Sequence, residues 1–298
     1  MDLFCIQIQM GGLSVETLGY LGPVGTHSEA AALYLNEQLP EKCELVPLAN
    51  IYAAIHAVET GAVDTCLVPV ENSIEGSINI TLDTLANSDG LKVIRELIWG
   101  VHNHLMARDV RYPITKILSH GQPLAQCREY LMSHYPDAEL DAVVSSAAAA
   151  SQVGEMPADS GWAAICTQRA GQMNGLVALA HNIEDQHNNS TRFYQLARKD
   201  YEAELQEEKT LIICQIDGKD AGRLCEVLLE MATRDVNMTR IESRPARTGL
   251  GEYIFFFDVD VPKRVVNLDA AMQGIRRKSI WLKNPGRFPV LRADGRKG

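Results

Sequence analysis

ETLGYLGPVGTHSE, residues 16–29, sets the reading of the chain. ETLGYL reads as a strand, and Gly22-Pro23-Val24-Gly25 breaks it. Thr26-His27-Ser28-Glu29 then matches a capping box, with Thr26 as N-cap and Glu29 at N3, so a helix starts there and runs to Pro40. Strand, polar turn, helix is a unit, and it recurs. Asn50 caps a second helix whose buried face is Ile51, Ala54, Ile55 and Val58; Gly61 ends it, and VDTCLVPV (63–70) follows as a buried strand. KVIRELI (92–98), HNHLMAR (102–108) and TKILS (115–119) read as strands, and Leu124, Cys127 and Leu131 stripe a helix. DAVV (141–144) is a strand, SAAAASQV (146–153) a helix and WAAIC (162–166) a strand, with Gly175 ending the helix after it. LVALA (176–180) and RFYQLA (192–197) close the region as strands. Alternation at this spacing predicts an α/β fold of open, mostly parallel sheets with helices on both faces. Residues 16–200 are too many for one such sheet, so two lobes are expected.

Lys199 to Lys209 is a charged linker, and after it the pattern changes. KTLIICQI (209–216) is a strand, and Leu224, Val227, Leu228 and Met231 stripe a helix. NMTRIES (237–243) and EYIFFFDVDV (252–261) are strands joined by a hairpin loop, Arg247-Thr248-Gly249-Leu250-Gly251. Leu268 to Ile275 suggests another helix, and a last strand lies near 280–291. The order β-α-β-β-α-β is ferredoxin-like.

Composition narrows the classes. With 298 residues and 46% hydrophobic content the chain is globular and large enough for about two domains. A net charge of −10 argues against sequence-independent nucleic-acid binding, which needs a basic footprint. The seven cysteines are scattered with no C-x-x-C pair, which disfavours a disulfide framework or a zinc site and suits a reducing compartment. MDLFCIQIQMGGLS is a poor signal peptide, and no run of 18 apolar residues could span a membrane, so a cytoplasmic protein is expected.

In open α/β sheets, ligands bind at the carboxyl ends of strands. Five polar clusters fall at such ends or just before a strand: Gly22 to Thr26, Glu71-Asn72-Ser73, Ser119-His120, Ser145-Ser146 and Asn188 to Arg192. The turns at Thr26, Ser119 and Ser145-Ser146 each open a helix, whose unpaired N–H groups favour an anion. They could hold two carboxylates without a basic surface, with Arg192 as a bidentate partner or as half of a structural ion pair. Ser119 and His120 point to opposite faces, which rules out a Ser–His hydrolase. Gly22 to Gly25 lacks the lysine of a phosphate-binding loop. No nucleotide, metal or other cofactor is implied.

Tyr20 to Thr26, Val68 to Ser73, Ser119-His120 with Gln126-Cys127, and Asn189-Ser190-Thr191-Arg192-Phe193 resemble the signature segments of the prephenate dehydratases, in that family's order and spacing. The resemblance covers nearly the whole chain after residue 15. It implies a two-lobed catalytic region like periplasmic binding proteins, lobe 1 being about 16–97 and 178–200 and lobe 2 about 98–177. A ferredoxin-like ACT domain would follow at 208–291. It implies decarboxylating dehydration of prephenate to phenylpyruvate in phenylalanine biosynthesis. Thr191 and Glu71 would be catalytic, facing each other across the gap. Asn72, Ser119, Gln126, Ser145, Ser146, Arg192 and Thr26 would contact substrate; Phe193 would be core. L-Phenylalanine would act as effector at a dimer interface lined by Gly222, Leu224, Glu242, Ser243, Arg244 and Pro245, in a homodimer or homotetramer. With too few residues ahead of residue 16 for a fused chorismate mutase, a monofunctional enzyme is expected. Departures are His27 where an aromatic is common, Gly121 after Ser119-His120 in place of proline, Ser146 for threonine, and Gly222-Arg223-Leu224-Cys225 for Gly-Ala-Leu-Val. Arg223 bears on effector identity. An arogenate dehydratase and a non-catalytic amino-acid-binding protein remain as alternatives.

Overall fold

The computed structural model describes residues 15–186, 188–198, 206, 208–218, 221–249 and 251–294. The first fourteen residues, most of the charged linker and Leu250 of the hairpin loop lie outside the described residues. The chain runs β1 (Thr17–Leu21), α1 (His27–Gln38), β2 (Glu44–Leu48), α2 (Ile51–Thr60), β3 (Thr65–Asn72), β4 (Gly76–Ser77), α3 (Asn79–Asn87) and β5 (Lys92–Gly100). It continues β6 (His104–Ala107), β7 (Lys116–Ser119), α4 (Gly121–Gln126), α5 (Arg128–His134), β8 (Glu139–Ala142), α6 (Ser146–Glu155), β9 (Trp162–Cys166), α7 (Gln168–Met173) and β10 (Val177–Ala180). Then come β11 (Ser190–Ala197), β12 (Lys209–Ile216), α8 (Arg223–Ala232), β13 (Met238–Pro245), β14 (Tyr253–Asp260), α9 (Val265–Lys278), β15 (Trp281–Lys283), β16 (Arg287–Phe288) and β17 (Val290–Ala293).

Three sheets result. The first has the order β17-β5-β11-β3-β1-β2 with β4 on β3, the second β10-β6-β9-β7-β8, and the third β13-β14-β12-β15 with β16 on β12. The first two are mixed rather than mostly parallel. β1 joins β2 and β3 in parallel through helical crossovers, whereas β11 is antiparallel to both β3 and β5. In the second sheet β6 is antiparallel to both its neighbours. β6 and β11 are the strands by which the chain enters a lobe from the other one, so no βαβ crossover fixes their direction. The chain leaves the first sheet after Gly100 and the second after Ala180, slightly later than the expected bounds.

Each face of the first sheet has its own core. Leu18, Tyr20, Leu67, Leu97, Trp99 and Phe193 pack under Ala31 and Leu35 of α1. Cys66, Val68, Val70, Tyr194 and Leu196 face the other way, onto α2, α3 and the third sheet. The third sheet is antiparallel throughout and has the ferredoxin-like order. Ile212, Cys214 and Phe257 pack against Val227 of α8 and Ile275 of α9, whereas Leu211, Ile213, Ile254 and Phe256 join the core beneath the first sheet. Burial on both faces is why KTLIICQI reads as an unbroken apolar run. Each such large side chain contributes about 1.5–3 kcal/mol when fully buried, so the third sheet is fused to the first lobe rather than tethered to it.

Several elements differ from expectation. β2 and α3 were not legible; β2 is an edge strand carrying Pro47, and α3 has no side-chain N-cap. The helix striped by Leu124 and Leu131 divides at Cys127 into α4 and α5. The last strand, expected near 280–291, breaks at Pro285, Gly286 and Pro289 into β15, β16 and β17. β17 leaves the third sheet and pairs in parallel with β5 of the first, Val290 opposite Glu96.

Candidate active site

β3 and β11 carry two of the polar clusters, and their register decides which side chains meet. Thr191 pairs with Asn72 and Arg192 with Glu71, but Phe193 pairs with Pro69, so Val70 is an extra residue on β3. Such a bulge reverses the alternation beyond it. It brings Asn72 to the α1 side with Thr191 and turns Glu71 toward the third sheet. Asn72 is buried, and its Nδ2 donates to Thr191 Oγ1 at 3.0 Å and to Asn189 Oδ1 at 2.9 Å. Its Oδ1 accepts the backbone N–H groups of Ile74 at 3.0 Å and Glu75 at 3.1 Å, which fixes the amide orientation. Asn189 Nδ2 in turn donates to Gln126 Oε1 of α4 at 3.2 Å. The relay from Thr191 through Asn72 and Asn189 to Gln126 therefore crosses from the first lobe to the second. Ile74, Glu75, Gln122, Gln126, Glu184 and Asn189 line a cavity of about 310 Å³ at that crossing.

The lobes also meet at the Gly22–Thr26 turn. Gly25 has φ +87°, and a Cβ there would lie 3.3 Å from the Cβ of Ala147 on α6 and 3.1 Å from that of Ala170 on α7. Only glycine permits this approach. Thr167 Oγ1 donates to Gly25 O at 2.8 Å, and Arg169 Nε donates to Glu29 Oε2 at 2.9 Å. Glu29 accepts from the N–H of Gly25 at 2.7 Å, not from that of the N-cap as a capping box would have it. Thr26 accepts from the N–H of Glu29 at 3.3 Å and donates to Pro23 O at 2.9 Å, and Ser145 accepts from the N–H of Ala148 at 3.0 Å. Both hydroxyls are committed to capping, while the starts of α1 and α6 face one junction. Ser146 is the first residue of α6. Ser119, fully buried, donates to Ile165 O at 2.7 Å, so its hydroxyl holds β7 to β9. Phe193 is core, 1% exposed.

Glu71 and Arg192 do not join the hydroxyl. Arg192 Nη1 lies 2.7 Å from Glu71 and 2.8 Å from Asp258 of β14, and its Nε lies 2.7 Å from Glu96. Burial opposes the charge of Arg192, but Tyr194, Asp258 and Glu96 outweigh it and hold the pKa above the ordinary arginine value. Glu71 also pairs with Arg240 of β13 at 3.4 Å. Glu71 and Thr191 thus lie on opposite faces of one sheet, not across a gap. Sequence reasoning did not single out Thr167 and Arg169, although Thr167 follows the strand WAAIC as an N-cap, the same signal that marked Thr26.

At the crossover, His102 Nδ1 lies 2.7 Å from Glu184 Oε1, and the Nδ1 atoms of His104 and His181 are 3.2 Å apart. Burial first, then the neighbouring imidazoles His104 and His102, push the His27 pKa down to about 4. Burial and His181 push that of His104 to about 4.

In the third sheet, Gly222 and Leu224 line a cavity of about 240 Å³ with Ile216, Asp217, Tyr253 and Phe255. Glu242 to Pro245 are not part of it. Glu242 bonds to Ser77 of β4, Arg244 Nε donates to Asp83 of α3 at 2.9 Å, and Ser243 and Pro245 are exposed. Arg223 pairs with Glu226 on its own helix at 3.2 Å.

Two lobes joined by a hydrogen-bond relay that runs from an oriented hydroxyl to the wall of the cavity between them, with a ferredoxin-like sheet fused to the first lobe, define a two-lobed enzyme for a small molecule. The family model for prephenate dehydratase matches residues 18–201, and the chain belongs to that family. It is 38% identical over 277 residues to the bifunctional chorismate mutase/prephenate dehydratase of Stutzerimonas stutzeri, covering 91% of this chain and 73% of that one. It is 33% identical to the prephenate dehydratase of Methanocaldococcus jannaschii, covering 91% and 97%. The crystal structure of the Arthrobacter aurescens prephenate dehydratase in complex with L-Phe superposes with a TM-score of 0.80 at 34% identity, covering 95% of this chain and 92% of that one.

Proposed function

We propose that this chain removes water and CO2 from prephenate to give phenylpyruvate, with the Thr191 hydroxyl as the catalytic group. Prephenate carries two carboxylates and a ring hydroxyl. As the ring carboxylate leaves as CO2, its C–C bond pair enters the ring. The C–O bond at the far carbon breaks, hydroxide departs with its pair and takes up a solvent proton to become water, and an aromatic ring remains. The developing charge sits on the leaving oxygen. One observation carries the assignment: Asn72 donates to Thr191 Oγ1, so the threonine oxygen is an acceptor and its own proton is left to donate. A threonine is too weak an acid to ionise, but a hydrogen bond that strengthens as the leaving oxygen gains charge is selective transition-state stabilisation. The starts of α1 and α6, with Gln126 and Ser146, would receive the carboxylates. Glu71 and Arg192 support the site from behind. Thr191→Val lowers kcat by about 10²–10³-fold and changes KM little. A near-parental kcat for phenylpyruvate formation would refute the role.

The unit built on the third sheet serves as an ACT domain; it ends with β16 at Phe288, short of the expected 208–291, because β17 pairs with β5 of the first sheet. L-Phenylalanine would act as effector, a reading that the L-Phe complex of the A. aurescens relative supports, and the cavity at Gly222 and Leu224 is where we place it. The exposed Ser243 and Pro245 of a second copy would complete that site in a homodimer or homotetramer. The described cysteines are all free, which suits the cytoplasm.

A further inference from the structure

The hairpin of β3 and β4 is short. Two residue pairs hold it, Glu71 with Ser77 and Asn72 with Gly76, and one further bond runs from Ile78 N–H to Val70 O at 2.8 Å. Its turn contains the amide that orients the Thr191 hydroxyl, so anything that grips the hairpin sets that hydrogen bond. On one side Ser73 ties the turn to β11, its N–H donating to Ser190 O at 2.9 Å and its Oγ accepting from the N–H of Ser190 at 3.0 Å. On the other side the grip comes from the third sheet. Arg240 of β13 has its side chain 9% exposed, and it reaches both strands of the hairpin. Its Nη2 donates to Ser77 Oγ at 2.6 Å, and its Nε lies 3.4 Å from Glu71. Glu242, two residues on, holds the same guanidinium at 3.4 Å and bonds to the same serine. Asp258 of β14 lies 3.8 Å from Arg240 and 2.8 Å from Arg192, the residue after Thr191.

We propose that Arg240 is a positioning residue for the dehydration: by clamping Glu71 and Ser77 from the third sheet, it fixes the hairpin turn that holds Asn72 against Thr191. The guanidinium touches no reacting atom. It acts through the hairpin, and because β13 is an edge strand of the third sheet, a displacement of that edge reaches the hydroxyl in two steps. The proposal rests on the reading of Thr191 as the catalytic hydroxyl.

The test uses the full chain and prephenate. Arg240→Met keeps the apolar stem and leaves Glu71 and Asp258 paired with Arg192, which limits the cost to the fold. Misplacing a catalytic group by a fraction of an ångström is costly. We expect kcat to fall about tenfold, with KM within about twofold, because the loss lies in orientation rather than binding. Ser77→Ala removes one grip and lowers kcat by about threefold. Arg240→Lys, which keeps the charge but cannot reach both strands, lies between parent and Arg240→Met. In an Asn72→Ala background, where the amide is gone, Arg240→Met produces almost no further loss. The proposal is overturned if folded Arg240→Met keeps parental kcat, or if its loss is undiminished in the Asn72→Ala background. Should Arg240→Met fail to fold, a parental kcat for Ser77→Ala overturns it instead. Thr191→Val in parallel separates the two readings. An active Thr191→Val removes the hydroxyl and this proposal together. A crippled Thr191→Val beside a fully active Arg240→Met removes only the proposal.

Discussion

The Asn72 amide is oriented by its own backbone before Thr191 is considered: with Oδ1 taken by two N–H groups, only Nδ2 can face the hydroxyl. Asn72→Asp therefore keeps the turn and inverts the partner. The carboxylate would still accept both N–H groups, but Thr191 would have to donate to it, and its proton would no longer reach the leaving oxygen. We expect a loss in kcat of about 10²-fold, comparable to losing a transition-state donor, with circular dichroism unchanged. A kcat near that of the parent would contradict the assigned direction of the hydrogen bond. His27 gives a second residue-scale prediction. Its folded pKa, about 4, lies below the ordinary histidine value of 6.5. Between those values the unfolded chain binds more protons, so stability rises with pH there; it is complete above about 6.5 and lost as pH falls toward 4. His104, shifted the same way, adds to this slope. Thermal melts at stepped pH check it: the parent loses Tm between pH 7 and 5, and His27→Phe loses less.

At the scale of elements, β3 shows what could be read from the chain and what could not. VDTCLVPV is plainly a buried strand, and the Asn72 and Thr191 ends of β3 and β11 were both marked as polar strand ends. The face each residue takes was not legible, because the bulge at Val70 depends on the partner strand. Strict alternation would put Glu71 where Asn72 sits; the bulge turns it away, so Glu71, which the resemblance placed across a gap from Thr191, instead faces Arg192 and Arg240. Arg192 offered no better signal: an arginine before Phe193 reads equally as a carboxylate clamp or an ion pair, and only the nearness of Asp258, 66 positions on, decides it. β17 is the other illegible element, since nothing local says that a strand leaves its own sheet. Its pairing yields a prediction. A chain ending at residue 289 loses the β5 edge, the buried Val290, the Leu291 packing and the 2.6 Å bond from His102 Nε2 to Asp294 O. Burial of those two side chains alone amounts to about 3–6 kcal/mol at most, so urea unfolding should shift to clearly lower concentration. An unchanged midpoint would mean that β17 contributes nothing.

For the whole molecule, fusion of the third sheet to the first lobe links two sites. Leu211, Ile213, Ile254 and Phe256 sit in one core with Val68, Val70 and Tyr194, and the ions Arg192, Glu71, Glu96, Asp258 and Arg240 bridge the same face. A packed core with buried charges has few arrangements of similar energy, so on the proposed reading an amino acid that shifts β13 or the Gly222 turn would act on β3 and β11 directly. Coupling of this kind is reciprocal. If L-phenylalanine weakens binding of an inert prephenate analogue by some factor, the analogue must weaken L-phenylalanine by the same factor, about 5–150-fold for ordinary allosteric energies. Calorimetric titration of each ligand, alone and with the other saturating, measures both factors independently. Equal factors above one place both ligands on a single linked equilibrium. A factor of one in both directions would show that the cavity beside Leu224 and the Thr191 hydroxyl do not communicate, and would leave the ionic bridge with a purely structural role.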